Sequence, residues 1–228
     1  MTNKYFQDIK IDVLEDKKTY SKISAEPFDR GYGVTVGNGL RRTLLTSLPG
    51  AAITSMKIDG VSHEFSTIDG ITEDVSEIIL NLKKVRFKMT DDSTTELIEF
   101  EFEGPGNLTA KYLNNYLGDF EVINKKEHLA TINKKAKIRF EMRVSRGKGY
   151  VPSEKNKRPD DTLGTISIDA IYNPVVNVNW EVQPIASSTE GNERLIMEIL
   201  SDGSVSPKDC INHAARIMRQ HLGYFLFN

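Results

Sequence analysis

The sequence has little cysteine, little tryptophan and no strong excess of charge of either sign. Its single cysteine, Cys210, excludes an intramolecular disulfide and is compatible with a reducing compartment. A formal net charge of -2 gives no bulk signal for binding nucleic acid or a membrane surface. There is no N-terminal apolar signal segment, and no run of about 18 apolar residues that could span a bilayer. We therefore expect a cytoplasmic protein with no membrane partner.

Motifs for catalysis and for metal binding are also missing. Gly31-Tyr32-Gly33 starts like a dinucleotide-binding fingerprint, but Val36 stands where the third glycine belongs. Gly147-Lys148-Gly149 lacks the serine or threonine that follows lysine in a phosphate-binding loop. We interpret these glycines as turn residues. The histidine and cysteine spacings do not match a zinc site. We predict no catalytic residue, no metal and no cofactor.

Cys210 allows two interpretations. It lies at the polar start of a predicted helix, where the pKa of a thiol can be depressed and the thiolate made reactive. The alternative is a purely structural side chain, which we favour because no partner residue for catalysis is evident. The sequence therefore argues against an enzyme.

Three segments have the period of a helix. Apolar residues recur at every fourth position of residues 34–48, and Pro49-Gly50 ends that helix. A second helix is predicted after Thr72 as N-cap, with an apolar stripe of Val75, Ile78, Ile79 and Leu82. The last helix is predicted over about 207–226, with Ser206 as its cap.

The last helix has two apolar faces when projected at 100° per residue. The larger face is predicted to pack on the chain's own sheet, and it contains Ile211, Ala214, Ala215, Met218, Leu222, Phe225 and Leu226. Ile217 and Tyr224 form a smaller face. The pattern leaves open whether these two residues form a partner surface or are scattered surface residues.

Most of the remaining chain is predicted to be β-strand. Two strands are expected over residues 5–26, and a hairpin of 52–58 and 61–66 is expected around Asp59-Gly60. Alternating apolar residues near 98–102 and 138–144 predict half-buried antiparallel strands. Residues 145–161 are rich in glycine, proline and charge, and we interpret them as a long exposed loop that meets protein partners rather than nucleic acid. The fold class is α+β.

Several motifs in fixed order carry a family resemblance. They are Glu26–Gly33, Val36–Leu45, Ile58–Val61, His63–Thr67, Glu73-Asp74, Ile78–Lys83, Arg146–Pro152, Asp169-Ala170, Pro174-Val175 and Asp202-Gly203. Together they resemble the N-terminal assembly domain of bacterial RNA polymerase alpha subunits, and the resemblance covers essentially the whole chain.

The resemblance implies a domain organisation and a homodimer. A discontinuous dimerisation domain would comprise residues 1–49 and 173–228, and a mostly antiparallel β domain would be inserted over residues 50–172. Two copies would pair through the first and last helices, with an interface of Val36, Leu40, Leu44, Ile217 and Tyr224. Whole subunits of the family continue beyond the position of Asn228 into a small DNA-binding domain, which this sequence does not contain.

The resemblance also implies partners. The dimer would bind the beta and beta-prime subunits, which carry the active site of the polymerase, a nucleotidyltransferase. Arg42 and Leu45 are the expected beta-subunit contacts, and Lys83, Arg146 and Lys148 are weaker candidates for large-subunit binding. DNA would be reached only through the assembled, nucleoid-associated enzyme.

The helical projection gives the two arginines different roles. Arg42 points roughly 160° from the centre of the apolar stripe, whereas Arg41 lies near its edge, where its stem can cover apolar surface. Arg42 is therefore expected to be free for a second protein.

The sequence departs from the family at two places. Gly39 stands where the family usually has alanine, and residues 189–195 are a loose version of a more regular segment. The alternative to the family assignment is a homodimeric β-rich ligand-binding protein, with the glycines near Tyr32 and Lys148 lining a pocket.

Overall fold

Helices and antiparallel strands are mixed along the chain, which confirms the α+β prediction. A computed structural model describes residues 8–90, 94–133 and 135–226. Residues 5–7 of the first predicted strand lie outside the described residues. The helices are α1 (Tyr32–Thr46), α2 (Val75–Leu82), α3 (Ser153–Asn156) and α4 (Pro207–Gly223), with a short 3-10 helix at Ala110–Asn115.

The strands are numbered in chain order. They are β1 (Lys10–Asp16), β2 (Tyr20–Phe28), β3 (Pro49–Ile58), β4 (Phe87–Met89), β5 (Thr95–Glu103), β6 (Gly106–Thr109), β7 (Phe120–Val122), β8 (His128–Ile132), β9 (Lys137–Lys148), β10 (Tyr150–Val151), β11 (Ile166–Ser167), β12 (Ala170–Ile171), β13 (Val175–Pro184) and β14 (Glu193–Ser201).

The chain divides into two compact units. The first unit joins Met1–Leu48 to Pro174–Asn228, and the second unit is Pro49–Asn173. The first unit is therefore discontinuous in sequence, with the second inserted between its two parts.

The first unit is a four-stranded antiparallel sheet with two helices packed on it. The strand order is β1-β2-β14-β13, and Ile23 of β2 lies opposite Met197 of β14. One face of the sheet forms a core with Leu44 of α1, with Leu48 just after that helix, and with Cys210 and Ala214 of α4. Removing this apolar surface from water, at about 25 cal/mol per Å², is the main stabilising contribution.

The second unit is built around another antiparallel sheet, of order β11-β3-β9-β5. The predicted alternation of apolar and polar residues places one apolar face of this sheet in the core. Phe100 of β5 lies opposite Phe140 of β9, and both rings are buried. Helix α2 covers this core with Val75, Ile78 and Leu82.

Helix α2 begins at a different cap from the one that was predicted. Asp74 is the N-cap: its side chain accepts a hydrogen bond from the Glu77 backbone N–H at 2.7 Å, and Glu77 accepts one from the Asp74 backbone N–H. The Thr72 hydroxyl instead accepts a hydrogen bond from Asn133, and the Thr72 N–H donates to Thr131 of β8. Asn133 therefore occupies the hydroxyl with which Thr72 would have capped the helix.

The predicted hairpin around Asp59-Gly60 is wrong. Gly60 does adopt the positive φ of a turn, at 82°, but residues 61–66 do not return as a strand. The reason is that β3 already has a partner on each side, since β9 pairs along its whole length and β11 pairs at Ser55 and Met56.

The segment 145–161 is not the continuous loop that was predicted, although many of its side chains are exposed as expected. Strand β9 continues to Lys148, and β10 and α3 follow within the same segment. Asp161 forms an ion pair with Arg143, an almost fully buried side chain of β9. The sequence did not indicate this ion pair, because glycine, proline and charged residues are also typical of exposed loops.

Candidate protein-binding surfaces

Helix α1 lies close to its sheet because two of its glycines face the strands. Gly33 and Gly37 are buried, and a Cβ at Gly37 would lie 2.8 Å from Trp180 Cε3 and 2.9 Å from Leu195 Cδ1. Gly31 ends the preceding turn with a φ of 88°, a conformation that glycine adopts without strain. The interpretation as turn residues therefore holds for Gly31, whereas Gly33 and Gly37 serve the packing of the helix.

The two arginines of α1 are both exposed, but they differ in their hydrogen-bond partners. Arg41 donates a hydrogen bond from Nε to the carbonyl oxygen of Val178 at 3.2 Å, so it is tied to strand β13 of its own sheet. Arg42 is exposed, and no described residue accepts a hydrogen bond from its guanidinium group. Its planar group is free to pair with a carboxylate or with backbone carbonyls of a second protein.

Not all apolar side chains of α1 are accessible to a second protein. Val36, Leu40 and Leu45 are half-buried and pack at the edge of the core. Leu44 is fully buried in its own unit. A side chain with no exposed surface cannot contact a second copy, so we correct the predicted interface by removing Leu44 from it.

The larger apolar face of α4 packs on the sheet only in its first half. Cys210 and Ala214 are buried, but Leu222 is 63% exposed and Leu226 is 80% exposed. The prediction that the whole face packs on its own sheet is therefore wrong for Leu222, Phe225 and Leu226. A helix of 17 residues extends about 25 Å, and the exposed residues lie at its C-terminal end and just after it.

An apolar groove lies between α1 and the second half of α4. Its volume is about 390 Å³, and its lining is Leu40, Ala215, Met218, Arg219, Leu222, Gly223 and Leu226. The helices are in close contact there, because a Cβ at Gly39 would lie 2.7 Å from Met218 Cε. Of the smaller predicted face, Ile217 is half-buried and Tyr224 is exposed just after the helix.

In the second unit, Lys83 does not present a free charge. Its Nζ lies 2.9 Å from Oδ2 of Asp169, and both side chains are largely buried. The same carboxylate accepts a hydrogen bond from the backbone N–H of Ser153 at 2.8 Å. The hydrogen bond from Lys83, followed by that from Ser153, holds the pKa of the Asp169 carboxyl below its ordinary value.

Arg146 and Lys148 both lie on strand β9 with exposed side chains. Gly147 between them packs against a buried ring, since a Cβ there would lie 2.4 Å from Tyr172 Cε2. In the same way, a Cβ at Gly33 would lie 3.1 Å from Val182 Cγ2. These close approaches do not support the alternative in which glycines near Tyr32 and Lys148 line a ligand pocket.

The thiol of Cys210 is unsuited to nucleophilic chemistry. Burial, together with the nearby Asp202 and Asp209, raises the pKa of this thiol to about 12. The structure thus decides between the two interpretations in favour of a structural side chain. Within residues 8–90, 94–133 and 135–226, no group of three or more His, Cys, Asp or Glu side chains is placed to hold a metal ion. None of the helices in the described part of the chain is long and apolar enough to cross a membrane.

Comparison with known proteins relates the chain to a family. Residues 56–173 match the family described as the RNA polymerase Rpb3/RpoA insert domain. The chain is 48% identical over 201 residues to the DNA-directed RNA polymerase subunit alpha of Salinibacter ruber, which covers 88% of this chain. It is 44% identical over 218 residues, or 95% of its length, to the subunit of the same name from Prosthecochloris aestuarii. The alignments span 61% and 66% of these two relatives.

Proposed function

We propose, since the chain belongs to the family of DNA-directed RNA polymerase alpha subunits, that it acts in transcription as a homodimeric scaffold. In this proposal the dimer binds the beta and beta-prime subunits and so begins the assembly of the enzyme. In the same proposal the chain contributes no catalytic residue to the enzyme, and DNA contacts it only through the assembled polymerase.

One observation carries the dimer proposal: the apolar surface on α1 and the second half of α4 is left uncovered by the chain's own sheet. Leu222, Phe225 and Leu226 are all strongly exposed and continue the groove that begins at Leu40. Contiguous apolar surface of this kind marks an interface. Pairing through a two-fold axis would bury the same surface on both copies at once.

The beta-subunit contact is proposed at Arg42 and Leu45. Arg42 is exposed without a partner among the described residues, and Leu45 lies on the same helix with part of its side chain accessible. A guanidinium group beside an apolar side chain is a common composition for the centre of an interface. Val36, Leu40, Ile217 and Tyr224 are assigned to the dimer interface instead.

The proposal is tested with the purified chain and with co-expressed large subunits. Light scattering at micromolar concentration should give twice the chain mass of 25.7 kDa. Placing glutamate at both Leu222 and Leu226 should shift that mass to the monomer, because each copy would bury charges without partners. Glutamate at Leu163, which is exposed in the second unit, is the matched control and should leave the dimer intact. A tagged wild-type chain that neither dimerises nor retains a large subunit would contradict the proposal.

A further inference from the structure

The larger sheet of the second unit ends in β5, which pairs on one side only in the described part of the chain. Strand β5 is the last in the order β11-β3-β9-β5, and β9 is its partner from Thr95 to Glu103. The outermost strand of a sheet presents a row of unpaired backbone N–H and C=O groups, to which an extended segment of another protein can pair. The accessibility of these groups decides where such a segment can bind.

The backbone of β5 points alternately toward β9 and away from it. The Arg146 N–H donates to the carbonyl oxygen of Thr94 at 2.8 Å, and the register of the two strands continues from there without a shift. In an antiparallel pair, every second residue exchanges hydrogen bonds with the residue opposite. Ile98 is therefore bonded to β9, whereas the N–H and C=O groups of Leu97 and Glu99 point to the free side of the strand.

One carbonyl on the free side of β5 already has a partner. The Tyr112 hydroxyl donates to the carbonyl oxygen of Glu101 at 3.1 Å, which agrees with the alternation. Among the residues that the structure describes, no such contact reaches the backbone of Leu97 or Glu99. The Leu97 side chain beside these groups is 53% exposed. The accessible stretch is therefore Leu97–Glu99, which we term the β5 edge.

The charge beside the β5 edge determines which segment fits it. The exposed face of β5 and β9 at this end carries more acids than cations: the acids are Glu99, Glu101, Glu103 and Glu141, and the cations are Lys137 and Arg139. Arg139 forms its ion pair with Glu99. Glu101, which lies directly opposite Arg139, has no ion pair with a described residue.

These glutamates exclude a second copy of the chain as the occupant. Two β5 edges that paired with each other would bring carboxylates into opposing positions, which is destabilising. Nucleic acid is disfavoured by the same charges. A segment with lysine or arginine at alternate positions instead places cations against the glutamates, on the face where Glu101 lacks one.

We propose that the β5 edge binds an extended, basic segment of a partner protein as an added antiparallel strand. The backbone of Leu97 and Glu99 supplies the hydrogen bonds, and the glutamates select basic side chains on the same face. The aliphatic stem of the basic side chain opposite Leu97 covers the exposed surface of that leucine. The site requires neither dimerisation nor a large polymerase subunit, so it goes beyond the proposed function.

The first test measures amide hydrogen exchange by NMR in the full purified chain. Without a partner, the N–H groups of Leu97 and Glu99 should exchange faster than that of Ile98, because only Ile98 is bonded to β9. A synthetic peptide of alternating lysine and threonine should slow the exchange of Leu97 and Glu99 and leave that of Ile98 unchanged. Slow exchange of Leu97 in the free chain, or no slowing with peptide at about 1 mM, would overturn the site.

The second test locates the hydrogen bonds on the peptide. In an antiparallel pair, the lysines whose side chains face the glutamates also carry the backbone groups that face β5. Methylation of the lysine backbone nitrogens should therefore weaken binding about tenfold, measured by fluorescence anisotropy. Methylation of the threonine backbone nitrogens is the matched control and should leave the affinity unchanged. Equal effects of the two methylations would contradict an added strand, and equal binding of a peptide with glutamate in place of lysine would contradict selection by charge.

The third test changes the chain and measures its affinity for the same peptide. Leu97→Pro removes an N–H from the free side without removing a bond to β9, and Leu97→Ala is the control that keeps this N–H. The affinity should fall about tenfold for Leu97→Pro and less for Leu97→Ala, and unchanged exchange of Ile98 shows that the variant is folded. Glu101→Gln should weaken binding most at low salt, whereas Glu181→Gln, at an exposed position of the first unit, should have no effect. Wild-type affinity in both Leu97→Pro and Glu101→Gln would place the peptide elsewhere and overturn the inference.

Discussion

Two glycines of the same helix should respond in opposite directions to the same substitution. Gly37 faces the sheet, where a Cβ would lie 2.8 Å from Trp180 Cε3 and 2.9 Å from Leu195 Cδ1. Gly39 faces α4, where the single close atom is Met218 Cε at 2.7 Å. Alanine at either position raises the helical propensity of α1, so only the packing distinguishes the two variants.

The expected change in the free energy of unfolding depends on which neighbouring side chain must move to admit the new methyl group. Replacing glycine by alanine inside a helix stabilises by about 0.5–1 kcal/mol. At Gly37 the new methyl group overlaps a packed indole ring and a buried leucine, and overpacking of this kind costs about 1–3 kcal/mol. We expect Gly37→Ala to lower the free energy of unfolding by about 1–2 kcal/mol. At Gly39 the obstacle is the end of a flexible, half-buried methionine, so Gly39→Ala should be neutral or should stabilise by up to about 1 kcal/mol.

The assay is urea unfolding at one fixed protein concentration, because dimerisation would make the stability depend on concentration. The midpoint should fall for Gly37→Ala and stay or rise for Gly39→Ala, with the dependence of the free energy on urea unchanged. Equal stabilisation by both substitutions would show that α1 does not approach the sheet as closely as Trp180 indicates, and would refute the reasoning.

Three further predictions concern charge and the proposed interfaces. Arg42→Ala should leave the chain folded and dimeric but weaken beta-subunit capture in a pull-down, whereas Arg41→Ala should lower thermal stability because it removes the hydrogen bond to the Val178 carbonyl. Burial raises the pKa of the Asp161 carboxyl, but the hydrogen bonds that it accepts from Arg143 and from the Arg158 N–H hold this pKa below its ordinary value. Ionised Asp161 therefore stabilises the fold fully above about pH 4, and this stabilisation is lost as the pH falls through the lower pKa of the folded state. Asp161→Asn should therefore destabilise at pH 7, and should flatten the acid limb of a stability–pH curve measured by thermal unfolding. Charges at both Ile217 and Tyr224 should shift the light-scattering mass toward the monomer, and an unaltered dimer would remove these two side chains from the interface.

The sequence predicted the positions of the helices of the first unit better than it predicted how those helices pack on the sheet. The period of residues 34–48 and the Ser206 cap located α1 and α4 to within a few residues, and the Ser206 hydroxyl accepts from the Asp209 N–H as expected. Those signals are local, since they depend on side chains within one or two turns. The exposure of Leu222 and Leu226 could not be predicted, because the apolar period of a helix does not show which of its turns pack against the sheet.

Contacts between segments that are distant in sequence account for the predictions that were wrong. Strand β3 takes β9 and β11 as neighbours, so the Asp59-Gly60 turn has no hairpin to close. Lys83 looked like an available cation at a helix end, and its pairing with Asp169, 86 positions away, has no local signal. The exposed side chains of Phe65 and Leu80 were likewise missed, because an apolar residue in sequence gives no indication that it faces water.

The central claim is that two copies of this chain together hold the large polymerase subunits. Native mass spectrometry of the tagged chain, purified after co-expression with beta and beta-prime, measures this directly. We expect a complex with two copies of the chain and the large subunits, and loss of the beta subunit from that complex in the Arg42→Ala variant. A spectrum with only single copies of the chain, free of any large subunit, would contradict it.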